Sequence, residues 1–200
     1  NLLRLIMLKI TKNIFLIFIF FIFTNCDQVS QNENSSNSIV TVKVFSSLTC
    51  PHCATFHIKI FEKLKKEYID TKKVRFEHHA FPLDLAALNA EKLLRCVKNK
   101  EKSFQLLGEI YRDQDEWAVG SDIKKINKSI KEIGLKFKLK GDIIDKCLQD
   151  EKVADQILNE RIEAQKNYKI SSTPTVYINE KKYEGEHEFK SFKKALEKLF

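Results

Sequence analysis

No stretch limits the fold of this chain more than Cys50-Pro51-His52-Cys53. The run before it, Ile39-Val40-Thr41-Val42-Lys43-Val44-Phe45, is apolar and β-branched, as a strand requires. After it, Phe56, Ile60, Phe61 and Leu64 recur at helical spacing. A strand that turns directly into a helix sets Cys50 at the helix N-terminus. There, unpaired backbone N–H groups and the positive end of the macrodipole favour a thiolate over a thiol. Pro51 suits the first helical turn, where its missing N–H would have had no partner. His52 can add a positive charge or an N–H bond to the sulfur. Cys53, one turn on, can close a disulfide with Cys50 and should be the more buried of the two. The spacing predicts a reversible dithiol switch.

Two other readings of the tetrapeptide are weaker. Half of a structural zinc site is one, but four ligands are needed and no second C-x-x-C accompanies it, so no metal is expected. Inert core thiols are the other, and proline and histidine between the cysteines fit a turn better than a packed helix face. The chemistry resides in two sulfurs and calls for no cofactor.

Two hundred residues allow one domain and a targeting segment. The formal charge of +8 comes from lysines spread along helical patterns, which reads as solvated surface; no nucleic-acid-binding motif accompanies it. The first 26 residues hold no acid, and Arg4, Lys9 and Lys12 precede the wholly apolar run from Ile14 to Phe23. A basic region followed by an apolar one is an export signal, and the apolar run is short for a bilayer span. Cys26 stands where a lipoprotein signal places its acylated cysteine. The preceding Phe23-Thr24-Asn25 departs from the usual leucine and small residue, so lipidation of Cys26 and an uncleaved N-terminal anchor both stay open. Residues 27–38 are polar and aperiodic and read as a flexible tether. With Cys26 set aside, Cys50, Cys53, Cys96 and Cys147 form an even set in a compartment that permits disulfides. Cys96 and Cys147 are candidates for a structural disulfide, the alternative being two buried free thiols.

Past the first helix, expected to end near Tyr68, Val74 to His79 alternates as a second strand, giving a β-α-β unit. Residues 84–168 then show helical periodicity and no convincing strand: Leu85 to Lys98, Lys102 to Arg112, Ser121 to Ile133, and Asp142 to Tyr168 with a break near Asp150. Ser121 and Gly134 are expected as caps of the third. Trp117 and Tyr111 read as core. Thr173 to Ile178 is β-rich, Asn179-Glu180-Lys181 turns, Lys182 to Gly185 returns, and Phe189 to Phe200 closes as an amphipathic helix.

The C-P-H-C turn and Thr173-Pro174, about 120 residues later, together resemble the thioredoxin superfamily, and within it the DsbA-type periplasmic disulfide oxidoreductases. The resemblance covers residues 39–200 and implies an α/β thioredoxin fold with an inserted helical domain. It also implies a cis bond at Thr173-Pro174 facing the redox turn, with the Thr173 backbone pairing with extended substrate. The implied activity is donation of disulfides to reduced exported polypeptides, with a quinone-linked membrane partner restoring the oxidised state. The implied location is the periplasm, with membrane tethering through Cys26 or the uncleaved signal. Some members carry an acid six residues before the first cysteine; here that position is Val44. Glu77, His78 and His79 could replace it but read first as surface. Ser172 stands where many relatives have glycine. Rival readings are a reductase or isomerase on the same fold, a thiol-based Cu(I) carrier and a structural staple. The only methionine, Met7, gives the copper reading no support.

Overall fold

A computed structural model describes residues 39–200. The expected signal at residues 1–26 with its Cys26, and the tether at residues 27–38, lie outside the described residues. Strand β1 (Val40–Ser46) pairs in parallel with β2 (Val74–Ala80) and antiparallel with β3 (Thr175–Ile178). A short β4 (Lys181–Lys182) completes the order β2-β1-β3-β4. Two parallel neighbours need a crossover, and helix α1 supplies it. It opens as an α-helix at Pro51–Phe56 and runs on through His57–Phe61, Glu62–Leu64 and Lys65–Ile69, the second and fourth parts wound as wider π turns.

Strand alternation sends Val40, Val42 and Val44 to one face of the sheet. They meet Phe56, Ile60, Phe61 and Leu64 of α1 and, from the last helix, Phe192 and Leu196. Phe45 points the other way, onto Phe81, Ala164 and Ile170. Each side chain of this size, fully buried, contributes roughly 1.5–3 kcal/mol. These two layers therefore fix the strand from which the Cys50 turn departs.

Six helices lie between β2 and β3: α2 (Leu85–Arg95), α3 (Lys100–Arg112), α4 (Gln114–Trp117), α5 (Ile123–Lys136), α6 (Gly141–Leu148) and α7 (Glu151–Tyr168). The fold is thus α/β, a thioredoxin-type sheet with inserted helices. Side-chain caps define four helix starts: Asp84 accepts from Ala87 N–H, Asn99 from Lys102, Asp122 from Lys124 and Lys125, and Asp150 from Val153. Two helix ends differ from expectation. Asp122, not Ser121, caps α5, and Gly134 lies inside that helix. A Cβ at Gly134 would come within 2.8 Å of Ile144 Cδ1, so glycine lets α6 approach. Helix α2 stops at Arg95, short of Lys98, because Cys96 and Val97 tighten into i→i−3 bonds and Asn99 starts the next helix. Trp117 and Tyr111 are core residues, and the Trp117 indole donates to Ile110 O at 2.8 Å.

Strand β3 begins after Pro174 and turns through Asn179 and Glu180, both at positive φ (46° and 63°), the backbone twist that a two-residue hairpin needs. Asn179 closes the turn onto β1, accepting from Thr41 N–H at 2.8 Å and donating its own N–H to Thr41 O at 2.9 Å. Helix α8 (Phe189–Glu197) follows and stops short of Phe200.

Candidate active site

Cys50 has extended backbone (φ −84°, ψ 119°) and is the residue from which α1 starts, with Pro51 in the first turn. Its carbonyl accepts from Cys53 N–H at 3.0 Å and Ala54 N–H at 3.2 Å. The loop leading to it is tied to the exit of β2. Phe81 N–H donates to Ser46 O at 2.7 Å, Thr49 Oγ1 donates to Asp84 Oδ2 at 2.7 Å, and Cys50 N–H donates to Ser47 O at 3.1 Å. From the inserted helices, buried Gln114 donates through Nε2 to Leu48 O at 2.7 Å and Cys50 O at 3.2 Å. An amide left without such acceptors in a buried site costs about 1–3 kcal/mol, so Gln114 and the loop hold each other.

The two sulfurs have opposite environments. Cys50 is 8 % exposed and Cys53 1 %, and both are free thiols. The Cys53 thiol donates toward Cys50. With help from the Thr173 side chain and the backbone N–H groups of Cys53 and His52, it outweighs partial burial and lowers the Cys50 pKa from 9.0 to about 5. The same bond, together with burial, pushes Cys53 far above the ordinary thiol range. His52 acts here through its backbone; its ring is exposed. The Thr173-Pro174 bond is cis, and the Thr173 carbonyl lies 3.4 Å from Cys50 Sγ, within reach of the thiol hydrogen when the sulfur is protonated. Cys50, Pro51, His52, Cys53, Thr173 and Pro174 therefore meet at one end of β1 and β3.

Cys96 and Cys147 are placed elsewhere, joined as a disulfide between the end of α2 and α6, with a Cα–Cα distance of 6.2 Å and a sequence separation of 51. Among the described residues no group of three or more His, Cys, Asp or Glu is arranged to hold a metal.

Three residues near the site are not signalled by motif. Gln114 is one. His57 is buried, stacked on Phe61 (ring centroids 4.3 Å) and tilted against Tyr111 (5.1 Å). Glu91 is fully buried, and its Oε1 pairs with His78 Nε2 at 2.6 Å, so His78 is not the surface residue its strand position suggested. The available signal is the lone acid at Glu91 in the apolar pattern Ala86, Ala87, Leu88, Ala90, Leu93, Leu94.

An acidic sulfur over a buried one, at a helix start and beside a cis-proline, is built for dithiol–disulfide exchange, and on this sheet it defines the thioredoxin class of protein. The chain belongs to the thioredoxin family, whose model covers residues 34–198. Its structural relatives are DsbA-type proteins. The crystal structure of Wolbachia pipientis alpha-DsbA1 superposes with a TM-score of 0.73 at 30% identity, over 80% of this chain and 85% of that one. A protein of Rickettsia bellii named as a protein-disulfide oxidoreductase is 33% identical over 73% of this chain and 55% of its own length. Disulfide bond formation protein D of Bacillus subtilis is 27% identical over 80% of this chain and 72% of its own. The chain spans about half the length of the rickettsial relatives it matches.

Proposed function

We propose that this chain is an exported thiol:disulfide oxidoreductase that donates disulfides to extracytoplasmic proteins through Cys50 and Cys53. The observation that carries the reading is the placement of Cys50 at the start of α1, over buried Cys53 and beside the cis Thr173-Pro174 bond, surroundings that lower its pKa from 9.0 to about 5. Whatever stabilises that thiolate stabilises the reduced protein, and so makes its disulfide oxidising. A substrate thiolate attacks Cys50 Sγ of the oxidised pair, and the Cys50–Cys53 bond breaks. A second substrate thiolate then attacks the substrate sulfur of the mixed disulfide and releases Cys50 as thiolate. Thr173 and Pro174, beside Cys50, form the edge along which an extended substrate would lie.

The partners of this reaction are reduced exported polypeptides on one side and a quinone-linked membrane protein that reoxidises the pair on the other. Residues 1–26 direct export to the periplasm, and Cys26 or the retained signal holds the domain near the membrane. No cofactor enters this reaction.

The test is a redox equilibrium of the purified protein against glutathione, run beside oxidation of a reduced, unfolded substrate protein. A donor holds its disulfide at a potential well above the about −270 mV of thioredoxin and oxidises the substrate stoichiometrically. A potential near that of thioredoxin identifies a reductase. Rearrangement of scrambled disulfides without net oxidation identifies an isomerase.

A further inference from the structure

One side chain of the inserted helices reaches into the redox turn. Gln114 is 5 % exposed and opens α4, a single turn that is itself held in place. Asp113 O accepts from Glu116 N–H at 2.9 Å and Trp117 N–H at 3.2 Å, and Gln114 O accepts from Ala118 N–H at 2.9 Å. Trp117 is buried in one cluster with Leu48, Cys50, Cys53 and Ala54, and its indole is fixed on Ile110 O. From this anchored turn the Gln114 carboxamide bridges Thr49. Its Nε2 carries two hydrogens, and two carbonyls lie within reach, Leu48 O at 2.7 Å and Cys50 O at 3.2 Å. Cys50 O also accepts from Cys53 N–H and Ala54 N–H, which already meets both of its lone pairs. A third donor is therefore not needed to satisfy that carbonyl. What it adds is direction.

We propose that Gln114 is a positioning residue for the redox pair: its carboxamide clamps the Leu48 and Cys50 carbonyls and so keeps Cys50 Sγ in front of the first backbone N–H groups of α1. This rests on the reading of Cys50 and Cys53 as a redox pair. Cys50 is where extended backbone (ψ 119°) gives way to helix. The peptide plane that carries its carbonyl leads straight into Pro51, His52 and Cys53, so turning that plane moves the His52 and Cys53 N–H groups relative to the sulfur. Pro51 cannot restrain the plane, because its nitrogen has no hydrogen to donate. The Cys53 and Ala54 donors belong to α1 and would move with it. Gln114 stands outside α1 and would not, so it ties the turn to a fixed point in the inserted helices. Hydrogen bonds to a thiolate are charge-assisted and roughly twice as strong as neutral ones, so a small loss of alignment there is felt at the sulfur.

The clamp works without charge. Ionisable groups around the turn come from other residues: Cys53 and the exposed His52 on α1, buried Tyr111 on α3, and Asp84, which caps α2 and accepts from Thr49 Oγ1 at 2.7 Å. On the side of β3, Thr173 offers its carbonyl at 3.4 Å. Asp113, next to Gln114, faces Lys136 of α5 at 3.8 Å. Among the described residues the side-chain hydrogen bonds of Gln114 go to Leu48 O and Cys50 O. Exchanging its amide for a neutral group of the same length therefore leaves every charge of the site in place and removes the clamp alone.

Gln114→Met makes that exchange, keeping the length of the side chain and removing its donors. Asp150→Ala is the comparison: it deletes the cap of α7 and destabilises the fold without a bond to the turn. Reduced full-length protein and both variants are alkylated with iodoacetamide from pH 3 to 10 and weighed, and each is equilibrated with glutathione at pH 7. The clamp predicts a Cys50 midpoint raised by about one pH unit in Gln114→Met, the worth of one weakened bond to a charged group. The pair should also become about tenfold harder to reduce, a potential lower by about 30 mV. Asp150→Ala should keep the wild-type midpoint and equilibrium. A Gln114→Met midpoint equal to that of the wild type, or a rise that Asp150→Ala reproduces, overturns the clamp. A wild-type midpoint near 9 defeats the redox reading instead. Should Gln114→Met not fold, Gln114→Asn, which draws the carboxamide back by one methylene, decides: a raised midpoint supports the clamp and an unchanged one overturns it.

Discussion

Reducing the Cys50–Cys53 pair at a series of pH values isolates the energy held in the Cys50 thiolate. With its folded pKa near 5 and an ordinary value of 9.0, Cys50 is ionised in the folded chain and protonated in the unfolded chain between those limits. Folding of the reduced protein then releases a proton. This stabilisation is complete above the unfolded value and is lost as pH falls through 5. Oxidised protein has no such group, so subtracting its stability cancels the other titrations. From pH 5 to pH 7 the shift spans two pH units at 1.36 kcal/mol each, and solvent screening at the rim of the site leaves about 1–3 kcal/mol. Cys53, whose pKa is raised, opposes this only as pH climbs past the ordinary thiol value. The assay is urea unfolding of both redox forms from pH 4 to 7. The stability of the reduced form should gain on that of the oxidised form by this amount. A difference that stays flat with pH would refute the claim that the fold stabilises the Cys50 thiolate.

Two further outcomes follow from buried groups. Burial, then the charges of His78 and Arg112, lower His57 from 6.5 to about 3, so in that window the unfolded chain binds a proton that the folded one does not. Stability is complete above pH 6.5 and falls by about 2 kcal/mol between pH 7 and 5 on this account. In His57→Phe, with the aromatic stack retained, urea midpoints should lose that part of their acid sensitivity; an unchanged slope contradicts it. Replacing Cys96 and Cys147 together by alanine opens the loop that they close across a sequence separation of 51. Urea unfolding should report a loss of about 2–4 kcal/mol, while alkylation of Cys50 keeps its pH midpoint.

What was legible in the sequence was local. The strand–turn–helix around Cys50 and the break near Asp150 each follow from backbone preferences of a few adjacent residues, and the structure has both; the hairpin after Ile178 is present too, but Lys181 belongs to β4 and not to the turn, and the strand ends at Lys182 and not at Gly185. Ser121 misled because Asp122, next to it, is the stronger acceptor for the first N–H groups of α5. Gly134 misled because its small size serves a contact with Ile144 across helices, which periodicity does not reveal. The residues around the sulfurs were least legible. Gln114 reaches Cys50 O from 64 positions away, and Glu91 meets His78 only after α2 has folded back over β2. Their chemistry is ordinary in sequence and unusual only once buried.

The most direct measurement is the pH dependence of Cys50 alkylation by iodoacetamide in the reduced protein, followed by mass from pH 3 to 10. The account predicts a single midpoint near 5 for Cys50, with Cys53 unmodified below pH 9. A midpoint at the ordinary thiol value of 9.0 contradicts it.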